Sequence, residues 1–337
     1  VGHSNDLPSD PRALHLAGGV AARLRAACEL PSTSMSLVSR LKRPGPSGFG
    51  YASTAEEVTR DLDLRSKTIL VTGCSAGLGR ETLQVLGRRG ARMIGTARSE
   101  AAAQSVCNEL DGALAIACDL AEPSSVRACV ERVRREAAPL DAIICNAGIM
   151  ALPERRQAYG YELQFFTNHI GHFLLVTGLL PHLAEKGRVV VVSSGAHRRA
   201  PAAGIEFDNL SADVGYRPWR AYAQSKLANL LFASELARRL PRPGQSANAL
   251  HPGVIATNLS RHLPLWSRTG LRILTPLALK NVAQGAATQC YVAAHPGMHA
   301  NGEYFSDCNI ASPSKLARNQ KLAERLWKVS EQIAKSS

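Results

Sequence analysis

A single doubly wound α/β domain, built on a seven-stranded parallel sheet with helices on both faces, is the fold class this sequence predicts. Three observations carry that reading. From about residue 66, short apolar runs alternate with helix-length stretches. Several of those runs, such as 68–72 and 188–193, are nearly all apolar, which marks strands buried on both faces. The first run also breaks into the glycine-rich turn Thr72-Gly73-Cys74-Ser75-Ala76-Gly77-Leu78-Gly79, which opens a helix.

The elements follow in order. Residues 1–50 are rich in Pro, Gly and Ser and lack a sustained period, so they read as a tail or as an arm wrapped on the domain. Within them, 13–30 suggests a short amphipathic helix or a disordered extension. Val1 leaves the native start open, with Met35 the first methionine, and Asp6, Asp10 and Glu29 argue against an acid-poor transit peptide. Residues 51–337 are expected to form the folded domain. Strands are expected at 68–72, 91–97, 113–118, 141–145, 188–193, 246–250 and 303–306. Helices are expected at 77–89, 99–110, 123–137, 159–185, 219–239 and 282–294. In such a sheet, ligands lie beyond the carboxyl ends of the strands.

Composition excludes several classes. With 45% hydrophobic and 20% charged residues, the chain matches an ordinary globular domain. It has no apolar run of about 20 residues, so no membrane span is expected. A formal charge of +13 raises nucleic-acid binding, but the basic residues are scattered and aromatics make up only 5%. An anionic cofactor and general solubility account for the charge better. The eight cysteines include no C-x-x-C pair, and they read as reduced thiols of a cytoplasmic protein. His169 and His172 are spaced i, i+3, yet no third ligand accompanies them, so no metal site is expected.

The glycine turn is a phosphate cradle. Gly73 permits the turn, Gly77 and Gly79 let backbone approach a pyrophosphate, and the helix start offers unpaired N–H groups. At the end of the second strand stands Arg98, where an acidic residue would hold a ribose 2′-hydroxyl. A guanidinium there, with Arg80 nearby, suits a 2′-phosphate. Asp119 follows the third strand and could hold an adenine amino group or cap the next helix. Asn146-Ala147-Gly148 closes the fourth strand with residues small enough for a ribose to pack on. Tyr222 and Lys226 share one helix face at a spacing of four, where the ammonium favours the phenolate. Tyr216 and Arg220 show the same spacing and lack the context. That context is Ser193-Ser194 at a strand end and Asn168 in the preceding helix.

Taken together, Thr72-Gly73-x-x-x-Gly77-x-Gly79, Asp119, Asn146-Ala147-Gly148, Asn168, Ser194, Tyr222-x-x-x-Lys226 and Pro252-Gly253 resemble the short-chain dehydrogenase/reductase superfamily over roughly residues 66–330. Finer features are similar to its retinol-dehydrogenase-like branch: 167–173, 192–197, 251–257 and 304–308. The stretch 45–59 is similar to plant and bacterial relatives, among them chloroplast-import-associated reductases and WW-domain oxidoreductases.

The resemblance implies a Rossmann-like domain and an NADP(H)-dependent oxidoreductase acting on CH–OH groups. Its substrate would be a small hydrophobic carbonyl or alcohol, and a homodimer is left open. Catalysis would fall to Asn168, Ser194, Tyr222 and Lys226. Tyr222 would be the general acid/base and Ser194 would bind the substrate oxygen. Lys226 would hold the nicotinamide ribose and lower the tyrosine's pKa, and Asn168 would hold a relay water. The cofactor would lie along Gly73, Ser75, Ala76, Gly77, Leu78, Gly79, Arg80, Arg98, Asp119, Leu120, Asn146, Ala147, Gly148, Pro252, Gly253, Val254 and Thr257. Two departures stand out: Cys145 replaces a usual asparagine, and the segment 195–221 is longer than in compact members. An NADP(H)-sensing interaction protein and a carbon–carbon double-bond reductase are the alternatives.

Overall fold

The computed structural model describes residues 42–255 and 279–337. One eight-stranded sheet organises them, in the order β10-β9-β8-β7-β4-β1-β2-β3. Its strands are β1 (Thr68–Thr72), β2 (Arg92–Ala97), β3 (Leu114–Ala117), β4 (Leu140–Cys145), β7 (Leu183–Val192), β8 (Ser246–His251), β9 (Tyr304–Ser306) and β10 (Asn309–Ile310). A separate hairpin pairs β5 (Gln157–Ala158) with β6 (Tyr161–Glu162). Seven of the eight main-sheet strands run parallel, as expected, and β10 adds an antiparallel edge. Two residues are too few to show a period, which is why the eighth strand escaped the sequence reading.

Alternation within each strand feeds two cores. Ile69 and Val71 belong to one apolar cluster and Leu70 to the other. Val190 and Val192 likewise part from Val189 and Val191. Both faces are therefore dry, as the unbroken apolar runs require. Helices α1 (Ala55–Thr59), α2 (Gly77–Arg88), α3 (Glu100–Cys107) and α7 (Val282–Ala294) contribute to the first core. The second takes α4 (Pro123–Glu136), α5 (163–179), α6 (Pro218–Arg239) and α8 (Gln320–Ser336).

Local chemistry sets the ends. Pro123 opens α4, and Asn281 with Gln284 forms a capping box on α7. The helix expected from 159 begins only at 163. Tyr159 and Gly160 both take left-handed φ (53° and 80°) and turn the β5–β6 hairpin instead. The strand expected at 188 begins at Leu183, which pairs with Leu140 across an irregularity. Helix α8 was not among the expected elements, although Ala323, Leu326, Trp327, Ser330 and Ile333 make a buried stripe at helical spacing.

The sheet order reverses at β1, which has β2 on one side and β4 on the other. The crevice beyond the carboxyl ends of β1 and β4 is therefore where a ligand belongs. No helix among the described residues is long and apolar enough to cross a membrane. Residues 45–50 lie on the domain as an arm: Ser47 N–H donates to Asn309 Oδ1 at 3.0 Å, and Asn309 Nδ2 donates to the Phe49 carbonyl at 2.9 Å.

Candidate active site

The glycine turn between β1 and α2 forms the floor of the crevice. Gly73 and Gly77 adopt φ of 69° and 58°, a region glycine enters without a steric cost. A Cβ on Gly79 would lie 2.2 Å from the Gly73 carbonyl oxygen, so helix and strand meet there only through glycine. At Gly77 the same construction meets nothing within 4 Å. Ala76 caps α2 without a side-chain hydrogen bond, and no acidic residue stands in the first turn. The first N–H groups of α2 thus carry no side-chain cap, which fits a dinucleotide's phosphates. Ser75 and Ala76 are exposed, Leu78 is half-buried, and Cys74 points into the core.

The two arginines differ. Arg98 is exposed at the end of β2, with no ion pair among the described residues. Arg80 lies beside the turn, and its guanidinium pairs with Glu109 at 2.7 Å, so it is not the unengaged second cation expected. Asp119 Oδ1 accepts the Ala121 N–H at 3.0 Å in a local turn, and because the N-cap of α4 is Glu122, Asp119 does not cap that helix as its alternative reading expected. Leu120 is buried, and its carbonyl lies so close to α5 that a Cβ on Gly171 would approach it to 2.2 Å.

At the end of β4, Asn146 Nδ2 donates to the Thr72 carbonyl at 2.8 Å. Thr72 Oγ1 accepts the N–H groups of Asn146 and Ala147, both at 3.0 Å, and lies 2.9 Å from His172 Nε2. With two donors already on this hydroxyl, its proton goes to the ring. His172 therefore carries its own proton on Nδ1, 3.0 Å from the Asn168 carbonyl. Burial holds the ring neutral by lowering its pKa to about 4. Sequence reading missed His172 as a support of the site. It stood in the quoted stretch 167–173, but its partner Thr72 lies 100 residues away. His169 meets Ser330 Oγ at 2.7 Å and is likewise buried and neutral, with a pKa near 3.

Asn168 sits in a π-helical turn, Phe166–Ile170, inside α5. Such turns often mark functional positions. Its side chain clamps the Ile149 backbone, accepting from N–H at 2.8 Å and donating to the carbonyl at 2.9 Å. A second amide proton goes to Ser225 Oγ at 2.9 Å.

Ser193 and Ser194 part at the end of β7. Ser193 is buried, and its hydroxyl donates to the Lys226 carbonyl at 2.7 Å. Ser194 is half-buried, and its hydroxyl stabilises the Tyr222 phenolate against burial. Tyr222 and Lys226 lie on one face of α6, with the ammonium 5.8 Å from the phenol ring centroid. Lys226 Nζ donates to the Val192 carbonyl at 3.1 Å. Burial dominates both groups: it raises Tyr222 to about 12 and lowers Lys226 to about 8. The structure therefore raises the tyrosine's pKa where a fall was expected. Desolvation dominates there, and only the Ser194 hydroxyl opposes it. Cys145, fully buried, lies near the same ammonium, and burial pushes its thiol up so that it stays neutral.

The Tyr216–Arg220 pair divides between structural duties. Tyr216 donates to the Leu152 carbonyl at 2.7 Å, and Arg220 pairs with Glu206 at 2.5 Å. Trp219 is half exposed and meets the Tyr222 ring edge-on, with centroids 6.0 Å apart. Pro252 and Gly253 follow β8, Gly253 at a φ of 97°, and Val254 is 58% exposed. Thr257 lies outside the described residues, as does the apolar stretch that includes Leu263 and Trp266. Gln289 on α7 also went unnoticed in the sequence. Its amide nitrogen meets Thr82 Oγ1, the Leu78 carbonyl and Asn146 Oδ1, tying the glycine turn to β4.

Comparison with known proteins agrees with this arrangement. Residues 67–207 match the short chain dehydrogenase family model. The chain is 40% identical over 313 residues to the short-chain dehydrogenase TIC 32 B, chloroplastic, of Brassica napus, covering 87% of this chain and 97% of that one. It is 37% identical over 289 residues to retinol dehydrogenase 14 of Mus musculus, covering 80% and 86%. Among solved structures, a putative uncharacterized protein from Mycobacterium paratuberculosis aligns with a TM-score of 0.66 at 33% identity, over 82% of this chain and 97% of the other. A short chain dehydrogenase from Burkholderia cenocepacia J2315, in complex with NADP, aligns with a TM-score of 0.59 at 26% identity, over 72% and 96%. The chain belongs to the short-chain dehydrogenase/reductase family. Within that family it is an oxidoreductase of the retinol-dehydrogenase-like group.

Proposed function

We propose that this protein interconverts a hydrophobic carbonyl compound and its alcohol with NADP(H). The observation that carries the proposal is the buried Tyr222–Lys226 pair on α6, set beside Ser194, in a fold whose glycine turn opens a helix without a side-chain cap. A general acid has no use in a protein that only senses a nucleotide.

NADPH, when bound, supplies a hydride to the carbonyl carbon. The Ser194 hydroxyl hydrogen-bonds the substrate oxygen and fixes its position. Tyr222 gives that oxygen its phenolic proton, and in the reverse direction takes the proton back. The raised pKa of Tyr222 keeps the proton in place until a substrate oxygen arrives. Lys226 holds ribose hydroxyls and limits the cost of the transient phenolate. Asn168, clamped on Ile149, orders the backbone where a relay water would reach Lys226.

Arg98 receives the 2′-phosphate, and the named NADP complex of the Burkholderia relative supports this choice. Arg80 can join it only by leaving Glu109, a half-exposed pair of the kind worth about 0–1 kcal/mol. Trp219 gives the substrate side an aromatic wall. The cytoplasmic assignment rests on the seven described cysteines, all of them free and buried.

Turnover of purified protein on ketones, aldehydes and enones with each nicotinamide cofactor tests the proposal. Carbonyl reduction with a preference for NADPH is expected. Reduction of the enone double bond alone would favour a double-bond reductase, and no turnover on any compound would favour a sensor.

A further inference from the structure

Lys280 is fully buried, an unusual place for an ammonium. It sits immediately before the cap of α7 and touches three separate segments. Its N–H donates to the Val254 carbonyl at 3.0 Å, and it bridges to Ile255 as a short parallel pair. Its stem packs on Gly253, where a built Cβ would lie 2.7 Å from Lys280 Cδ. Its ammonium lies 2.6 Å from Asp307 Oδ1 and 4.9 Å from the centre of the Tyr51 ring. The contact with Asp307 is one of charge rather than of an aligned hydrogen bond.

The turn that carries Asp307 is itself under strain. Asp307 and Cys308 form the β9–β10 turn with φ of 53° and 63°. Aspartate is at home in the first position of such a turn, but Cys308 stands where glycine is preferred and bears the cost of a Cβ. The surroundings enforce the shape. Cys308 N–H donates to Thr288 Oγ1 at 3.2 Å, and Asn309 Nδ2 donates to the Asp307 carbonyl at 2.7 Å. Strain that is over-determined in this way points to a task for the turn that bears it. A fully buried ammonium is also a poor way to gain stability, even with a partly exposed carboxylate beside it, because an apolar side chain of similar size usually does as well.

We propose that Lys280, locked by Asp307, is a positioning residue that sets the height of the Pro252–Gly253–Val254 backbone against the nicotinamide end of the cofactor. This inference rests on the NADP(H) reading given above. The loop follows β8, next to the Ser194 turn: Gly195 N–H donates to His251 Nδ1 at 3.1 Å. A shift of the loop away from Lys280 would therefore alter the nicotinamide end and leave the Arg98 end untouched.

Two ligands separate the ends. NADPH spans the whole crevice, whereas 2′,5′-ADP carries the adenosine and its 2′-phosphate but no nicotinamide. Both affinities are measured by titration for the full chain and for Asp307→Asn, Asp307→Gly and Lys280→Met. Asp307→Gly removes the carboxylate and relieves the turn, so it keeps the test informative if Lys280→Met does not fold. We expect the variants to bind NADPH at least tenfold more weakly while 2′,5′-ADP stays within twofold of wild type. Equal weakening of both ligands would show a general structural defect and overturn the proposal, as would unchanged NADPH binding. Failure of the wild-type chain to bind either ligand would instead remove the NADP(H) reading on which the proposal stands.

Discussion

At the scale of single residues, the site is a contest between burial and chemistry at Tyr222 and Lys226. Tyr222→Phe removes the proton donor and leaves the ring, so turnover should fall by about 10²–10⁴ while NADPH affinity stays close to wild type. Steady-state kinetics alongside cofactor titration checks this, and a variant that keeps most of its activity would contradict the assigned role. Lys226 carries a cost that can be read from pH. An unfolded lysine keeps its proton to about 10.4, whereas burial lowers Lys226 to about 8 in the fold. Between those values the unfolded chain binds more protons, so this residue's contribution to stability rises with pH from 8 upward and is least favourable below 8. Lys226→Met should therefore be inactive yet more stable than wild type at pH 7, with the gap in unfolding free energy closing by pH 10. A gap independent of pH would mean that the ammonium is not the buried species. The sequence showed the Tyr222–Lys226 pair by spacing and context, and the same context separated it from Tyr216 and Arg220. It could not show that Tyr216 instead holds the Leu152 carbonyl or that His172 supports Thr72, because those partners are brought together only by the fold.

At the scale of elements, α2 and the turn before it decide whether a dinucleotide can be held. Gly79→Ala would place a Cβ against the Gly73 carbonyl, and backbone cannot yield as a side-chain tip can. We expect a loss of about 2 kcal/mol or more in chemical denaturation, in the range of overpacking, together with weaker NADPH binding. Gly112→Ala is the control for backbone strain alone. Gly112 has a left-handed φ, 67°, which Gly79 lacks, and open space around it, so its alanine should cost about 1–2 kcal/mol and leave binding intact. Equal binding by the two variants would mean that the close approach of α2 to β1 does not shape the site. Most elements were legible because buried parallel strands and their crossover helices leave long, unmixed signals. The exceptions have physical causes. The β5–β6 hairpin lies in a run that reads as helix until the positive φ of Tyr159 and Gly160 is known. Strand β10 exists only as the return of a strained turn. Helix α8 carries an apolar stripe at helical spacing that is legible in the sequence.

At the scale of the whole molecule, the charge pattern and the arm can be tested without knowledge of the substrate. Arg98→Asp should weaken NADPH binding at least tenfold, about 1.4 kcal/mol, and narrow the preference over NADH, because a carboxylate repels the 2′-phosphate. Wild-type protein that binds NADH as tightly as NADPH would remove that assignment. A chain beginning at Met35 keeps residues 45–50 and their contacts with Asn309, so it should retain its kinetic constants within about threefold, roughly 0.7 kcal/mol of barrier. Vesicle co-sedimentation of the full chain that is lost on this truncation would instead make the N-terminal residues a membrane-surface element. The central claim is hydride transfer to a carbonyl carbon with Tyr222 as the acid. Its most direct test is to follow deuterium from C4-deuterated NADPH by mass spectrometry of the product, in wild type and in Tyr222→Phe. The account predicts one deuterium on the carbinol carbon for the wild-type enzyme, with product formation all but lost in the variant. Deuterium on a former double-bond carbon, or equal product from both proteins, would contradict it.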